Sequence, residues 1–283
     1  MEDSIRKADI LVEAIPYIQA FRGRVIVAKY GGSAIDNPVA MRGILQDVIF
    51  LSTVGIRAVL VHGGGPAITR LLEQGGHASQ FVDGIRVTTR HTVRLVNRAL
   101  AQVNDRLVKE IGRLGGQGVG LVPDSGVVVA APHKRAAELG AVGGVRIVQA
   151  APIRRAFLRH AVPVISPVGI GADGQLYNIN ADDVASRVAI HMRAEKLVLL
   201  TNVRGILRRA GDSASLISTV SINAAQRLVE RRVIQSGMIP KVEACIGALH
   251  GRVKKTHIID ASIPHALLLE IFTKQGIGTE IVR

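Results

Sequence analysis

The stretch Val25-Ile26-Val27-Ala28-Lys29-Tyr30-Gly31-Gly32-Ser33 decides the fold, because a short, mostly β-branched apolar run breaks abruptly into glycines. Such a run reads as a buried strand that ends in a tight turn. The pattern returns in Ala58-Val59-Leu60-Val61, which runs into His62-Gly63-Gly64-Gly65-Pro66. Helical spacing follows each turn, over 41–52 and 67–74. The opening third therefore reads βαβα, which predicts an α/β fold: a three-layer αβα sandwich around a mainly parallel central sheet.

Upstream, Ile10, Leu11, Ala14, Ile15 and Ile18 give 8–21 a helical spacing, with Pro16 expected to kink or split it. Downstream, a long helix is expected over 92–114, then short strands and hairpins through the glycine- and valine-rich 115–148. The α/β rhythm resumes with a helix at 151–160, a strand at 162–166, a helix at 181–192 and a strand at 197–201 ending at Asn202. Helices at 224–235, 241–249 and 264–273 surround a strand at 257–259. Glycines and turn residues interrupt the pattern near 168–180. The expected division is an N-terminal helical extension (1–22), an N-terminal lobe (23–175) and a C-terminal lobe (176–283).

Composition narrows the class. Hydrophobic residues make up 48% of 283 and charged residues 20%, so the chain has the material for a core, built from Val, Ile, Leu and Ala because aromatics are only 3%. Apolar runs such as 197–200 fall far short of the roughly 20 residues a membrane helix needs. Met1-Glu2-Asp3-Ser4 opens with acids and offers no basic n-region of a signal peptide. Cys245, the single cysteine, allows neither an internal disulfide nor a thiolate metal cluster. These features predict a soluble, cytoplasmic protein without membrane association. The net charge of +14 is spread along the chain with no nucleic-acid motif, so nucleic acid is not an expected partner.

Chemistry is expected at the strand ends, where an open parallel sheet binds its ligands and helix N-termini offer unpaired N–H groups to anions. Both glycine turns lie there, and Lys29 adds a cation to the first. The alternatives fail on spacing. The string G-x-x-x-x-G-K-[ST] does not occur, and no serine sits in G-x-S-x-G, so a P-loop and a nucleophile elbow are both absent. Gly169, Gly171 and Gly174 satisfy G-x-G-x-x-G, but Gln175-Leu176-Tyr177 reads as a hairpin strand and makes the match fortuitous. In Asn178-Ile179-Asn180-Ala181-Asp182-Asp183, Asn180 or Asp182 is a natural helix cap. Pro240 marks a helix start, which puts Lys241 in a first turn, where the helix dipole disfavours a cation and an anionic partner or ligand is called for. Arg86, set among apolar and β-branched neighbours, suits bidentate carboxylate binding. No pair of histidines has metal-ligand spacing, and no metal site is expected.

Taken in order, the runs 29–32, 61–66, 84–88, 178–182, 199–207, 237–241 and 257–260 continued by 265–279 resemble the amino acid kinase family. Within it they are most similar to the branch acting on N-acetyl-L-glutamate. The resemblance implies transfer of the γ-phosphoryl group of ATP, with Mg2+, to the side-chain carboxylate of N-acetyl-L-glutamate in arginine biosynthesis. It implies that Lys29 and Lys241 stabilise the transition state, that Asp182 orients both, and that Gly31, Gly32 and Gly64 cradle the phosphoryl group. Gly64, Gly65, Arg86, Asn178 and Asn180 would hold acetylglutamate, and Asn202 and Gly237 would lie at the nucleotide. The chain departs from the family pattern at Asn202, at Val122-Pro123 and at Ala261-Ser262. The first helix resembles the extension that links dimers into hexamers in arginine-inhibited members, which implies a homo-oligomer and an arginine effector. Two other readings stay open on sequence: a sister kinase acting on a carrier-linked aminoadipate, favoured less by Gly84-Ile85-Arg86-Val87-Thr88, and a non-catalytic regulatory or nucleic-acid-binding protein on the same fold.

Overall fold

The computed structural model describes residues 1–209, 211–273 and 276–283. Lys274 and Gln275, inside the resembling run 265–279, lie outside the described residues. The chain opens with α1 (Glu2–Phe21), β1 (Val25–Tyr30), α2 (Pro38–Thr53), β2 (Arg57–His62), α3 (Gly65–Gln74) and the hairpin β3 (Phe81–Val82)–β4 (Ile85–Arg86). It continues with α4 (Thr92–Arg113), β5 (Gly118–Leu121), β6 (Val128–Pro132), α5 (Ala136–Leu139), β7 (Val142–Val148), α6 (Ala150–Leu158), β8 (Val162–Ile165), β9 (Val168–Gly171) and β10 (Leu176–Ile179). The last part holds α7 (Ala181–His191), β11 (Lys196–Thr201), β12 (Thr219–Ser221), α8 (Ile222–Glu230), α9 (Ile239–His250), β13 (Lys255–Asp260), α10 (Ala266–Phe272) and β14 (Thr279–Val282).

One sheet, in the order β12-β14-β13-β11-β1-β2-β8-β5, runs through the molecule, parallel from β13 to β5, with β14 antiparallel to β13. Side chains alternate across a strand, so a strand buried on both faces must be apolar throughout. β1 meets that demand everywhere except at Lys29: Val25 and Val27 point into one core, and Ile26, Ala28 and Tyr30 into the other. α7, α8 and α9 cover the first face; α2, α4 and α10 cover the second. Each fully buried Val, Leu or Ile contributes about 1.5–3 kcal/mol relative to exposure. The sandwich expected from the βαβα reading is the observed one. Beside the sheet, β6, β7, β9 and β10 close on themselves as a small four-stranded unit. β9 and β10 form the antiparallel hairpin expected of the glycine-rich stretch there.

Several expectations are corrected. α1 begins at Glu2 rather than near residue 8, and Pro16 does not split it. The missing Pro16 N–H costs little on an exposed helix, where water can serve the freed carbonyl. The helix expected over 224–235 stops at Glu230, and Arg232 then takes a left-handed conformation, φ 56°. The helix expected from 264 begins at Ala266, after His265 with φ 54°. The edge strand β12 and its neighbour β14 carry no distinctive sequence signal. No helix among the described residues is long and apolar enough to cross a membrane.

Candidate active site

β1 and β2 are neighbours in register, with Lys29 beside Val61 and Tyr30 beside His62, so their two glycine turns emerge side by side. Gly63 donates its N–H to the Tyr30 carbonyl at 2.7 Å. The backbones come so close that a Cβ on Gly31 would lie 3.2 Å from the Gly63 Cα, and one on Gly63 would lie 3.2 Å from the Gly31 Cα. That crowding favours glycine at both positions. Gly32 has φ +74°, a left-handed conformation that also favours glycine, and it opens a 3-10 turn over Gly32–Asp36. Arg70 holds the end of that turn, donating from both guanidinium nitrogens to Asp36 at 2.8 and 3.2 Å.

Lys29 reaches from β1 to α7, where its Nζ stands 3.0 Å from Asp182 Oδ1; Lys241 Nζ, from the first turn of α9, stands 3.0 Å from Oδ2. Asn180 caps α7, its Oδ1 accepting from the Asp182 N–H at 2.8 Å. Burial alone would push the Asp182 carboxyl up, but the two ammonium groups outweigh it and hold the carboxyl below its usual range. One carboxylate between two ammonium groups leaves a net positive charge in a site of low dielectric, which is suited to an anion. A Cβ on Gly31 would also lie 3.0 Å from Lys29 Nζ, so the ammonium rests directly against the glycine turns.

Arg86, at the end of β4, is buried with its ring of donors well used. It donates to Thr69 Oγ1 at 2.8 Å, to the Gly65 carbonyl at 3.3 Å and to Ser79 Oγ, and lies over the Phe81 ring at 4.6 Å. Asn178, on β10, donates to Thr88 Oγ1 at 3.1 Å, and Thr88 in turn donates to the Arg86 carbonyl. Two clusters thus emerge among the sequence candidates. Lys29, Gly31, Asn180, Asp182 and Lys241 converge, and Gly65, Arg86 and Asn178 form a second group. Gly64 joins the glycine turns to α3 as its N-cap, where a Cβ would meet Leu100 Cδ2. Asn202 and Gly237 stand apart: Asn202 is exposed just beyond β11, and Gly237 lies in the 3-10 turn Ser236–Met238 before α9. Gly63, Thr69, Ser79 and Thr88 were not singled out from sequence. Of these, Gly63 carried a signal in its place inside the glycine run and Thr88 in its place at the end of the resembling run 84–88; Thr69 and Ser79 carried none.

Residues 24–260 match the Amino acid kinase family. The chain belongs to this family. It is 45% identical over 285 residues to the acetylglutamate kinase of Desulforamulus reducens, covering 100% of this chain and 99% of that one. The acetylglutamate kinase of Moorella thermoacetica is 44% identical, with 98% of both chains covered. Among solved structures, N-acetylglutamate synthase from Neisseria gonorrhoeae, complexed with coenzyme A and N-acetyl-glutamate, superposes with a TM-score of 0.85 at 28% identity over 96% of this chain. This chain spans only 62% of that longer one. Carbamate kinase from Giardia lamblia bound to AMP-PNP shares the fold alone, with a TM-score of 0.66 at 13% identity over 92% of this chain and 98% of that one.

Proposed function

We propose that this chain is an ATP-dependent kinase of arginine biosynthesis that converts N-acetyl-L-glutamate to N-acetyl-L-glutamyl 5-phosphate. The observation that carries the reading is the buried Lys29–Asp182–Lys241 clamp against paired glycine turns, in a chain that aligns end to end with acetylglutamate kinases. That alignment does not favour the carrier-linked or non-catalytic alternatives.

The chemistry needs no nucleophilic or basic side chain. A side-chain carboxylate is already ionised at neutral pH, so one of its oxygens attacks the γ-phosphorus while the bond to the β-phosphate oxygen breaks and its electron pair leaves with ADP. The obstacle is the meeting of two anions, and catalysis consists of positioning and charge neutralisation. Lys29 from β1 and Lys241 from α9 approach the moving phosphoryl group from different elements. Asp182, bound by both, is unavailable as a base and serves to hold them in place. Gly31, Gly32 and Gly64 offer backbone N–H groups to the phosphoryl oxygens. Gly64, Gly65 and Arg86 from the N-terminal lobe (23–175), with Asn178 and Asn180 from the start of the C-terminal lobe (176–283), hold acetylglutamate, and Asn202 and Gly237 flank the nucleotide in the C-terminal lobe. No cluster of three His, Cys, Asp or Glu among the described residues is placed to hold a metal, and Asp182 is already engaged. Magnesium therefore fits as an ion carried by the nucleotide phosphates and water, where it would add positive charge.

α1 (residues 1–22 with its flanks) leaves Ile5, Ile10, Leu11, Val12 and Ile15 exposed, a surface suited to pairing with a second copy, so that a dimer is joined through this helix into a hexamer. Inhibition by arginine through this extension, and a cytoplasmic location, complete the reading. Light scattering that gives a dimer persisting at high concentration would exclude the hexameric ring, and full activity at saturating arginine would exclude the effector.

The central test is a hydroxamate assay with ATP, magnesium and acetylglutamate, repeated on Lys29→Ala and Lys241→Ala. The wild type should form hydroxamate and both variants should lose nearly all of it. Wild-type rates from both would overturn the mechanism.

A further inference from the structure

Behind the second glycine turn lies a buried hydrogen-bond relay that the reaction does not touch. His62, fully buried, has its Nδ1 2.8 Å from the Gly63 carbonyl, and Asn104 Nδ2 on α4 lies 3.1 Å from His62 Nε2 and 2.9 Å from the Val164 carbonyl. Only one assignment of protons satisfies every group. A carbonyl can only accept, so Nδ1 must carry the ring proton and Nε2 must be the acceptor. The Asn104 amide then spends one hydrogen on Val164 and the other on Nε2. A second ring proton would set N–H against N–H, so the relay holds only with a neutral imidazole. Burial, the largest cause, pushes the imidazole down to about 4, with the Arg106 charge adding to it.

We infer that His62, locked by Asn104, is a positioning residue that sets the orientation of the Gly63–Gly64 peptide and so aims the Gly64 N–H into the phosphoryl cradle. The physical link is the peptide plane. In a trans peptide the carbonyl of one residue and the N–H of the next point in opposite directions, and no cis bond occurs among the described residues. Holding the Gly63 carbonyl from behind therefore directs the Gly64 N–H forward, away from the relay. That N–H belongs to a buried residue and has no acceptor among the described residues, as expected of a donor reserved for a ligand. Glycines at 63 and 64 leave this peptide free of side-chain restraint, so the fixing must come from outside the turn. A donor aimed before the substrate arrives stabilises charge that develops on the phosphoryl oxygens without a reorganisation cost.

The inference rests on the kinase reading, and its test separates the two. His62→Asn places an amide N–H where Nδ1 stood, whereas His62→Gln places its donor nearer Nε2 and His62→Leu has none. In the hydroxamate assay, His62→Asn should retain most of kcat. His62→Gln and His62→Leu should lose about tenfold to a hundredfold in kcat, with KM for ATP and for acetylglutamate within about twofold of wild type. Equal kcat in Asn and Gln variants, or losses confined to KM, would overturn the inference. Crystal structures of the same variants supply an arm independent of turnover. The Gly63–Gly64 peptide should keep its orientation in His62→Asn and turn in His62→Gln, which also stands in if His62→Leu does not fold. An unturned peptide in both would overturn it. Failure of the unaltered protein to form hydroxamate would break the kinase reading, and the crystallographic arm would still decide this one.

Discussion

Among the described residues, two buried ionic clusters, one joining β1 to α7 and α9 and the other joining β11 and β13 to α10, are built to opposite ends. In Lys29–Asp182–Lys241 two ammonium groups share one carboxylate, and the Lys241 side chain keeps 20% of its surface exposed. In the second cluster the Glu270 carboxylate faces His257 Nδ1 at 2.7 Å and accepts from the Ile277 N–H at 3.0 Å, while Lys196 donates to the Glu270 carbonyl at 3.3 Å and lies against the Phe21 ring. The first has surplus charge and a window; the second is closed under α1 and α10. Buried charge of the first kind is suited to an anionic ligand. Charge of the second kind is kept for the fold.

The largest expected effect separates them by activity. Lys29→Ala or Lys241→Ala should lower kcat by about 10²–10³-fold while the melting temperature changes little, because each lysine acts on developing charge. Steady-state kinetics beside thermal melts would show it, and a lysine variant that melts early yet keeps its rate would erase the distinction. Glu270→Ala should do the reverse. It strands Lys196 and His257 in a low dielectric and should cost about 3 kcal/mol of stability in urea melts, with both KM values within about twofold of wild type.

Acid sharpens the contrast further. Burial pushes the Asp182 and Glu270 carboxyls up, but their cationic and hydrogen-bonding neighbours hold both below their usual range, so each contributes stability above about pH 4 that disappears only as the pH falls through the lower folded values. His62 acts earlier. Its imidazole falls from 6.5 unfolded to about 4 folded, so the unfolded chain binds the extra proton between those values and stability drops as the pH is lowered through that window. The loss should reach about 3 kcal/mol. Melts from pH 7 to 4 should therefore begin to weaken near pH 6 in the wild type, and less in His62→Asn. The smallest effect is the control: Asp105→Ala, which removes an exposed pair with Lys109, should leave the melting temperature within about 1 °C.

Much of this was readable along the chain, for reasons that differ from place to place. The glycine turns were legible because β1 and β2 must be apolar on both faces and must then stop. Lys241 was legible because a proline at a helix start leaves a lysine where the dipole disfavours it, and the anionic partner so called for is Asp182. The assignment of Asn180 rather than Asp182 as the cap needed coordinates, since either side chain could accept the first free N–H. The supports of Arg86 were not legible at all: Thr69, Ser79 and the Gly65 carbonyl lie on separate segments, and a hydroxyl in a sequence carries no mark of what it will bond. β12 and β14 escaped for a related reason, as short strands at the margin of a sheet are defined by their neighbours more than by their own pattern.

The sequence by itself determined the α/β class, the two glycine turns and the misplaced charge of Lys241, because periodicity, glycine and helix-start chemistry act within a few residues; the full clamp was implied by the family resemblance. Only the tertiary structure decided that Lys29 and Lys241, far apart in the chain, meet on one carboxylate, and that a histidine in a glycine run faces inward as a neutral anchor and not outward as a ligand. Those outcomes depend on which strands become neighbours and on what burial does to charge, and neither is a local property of the chain.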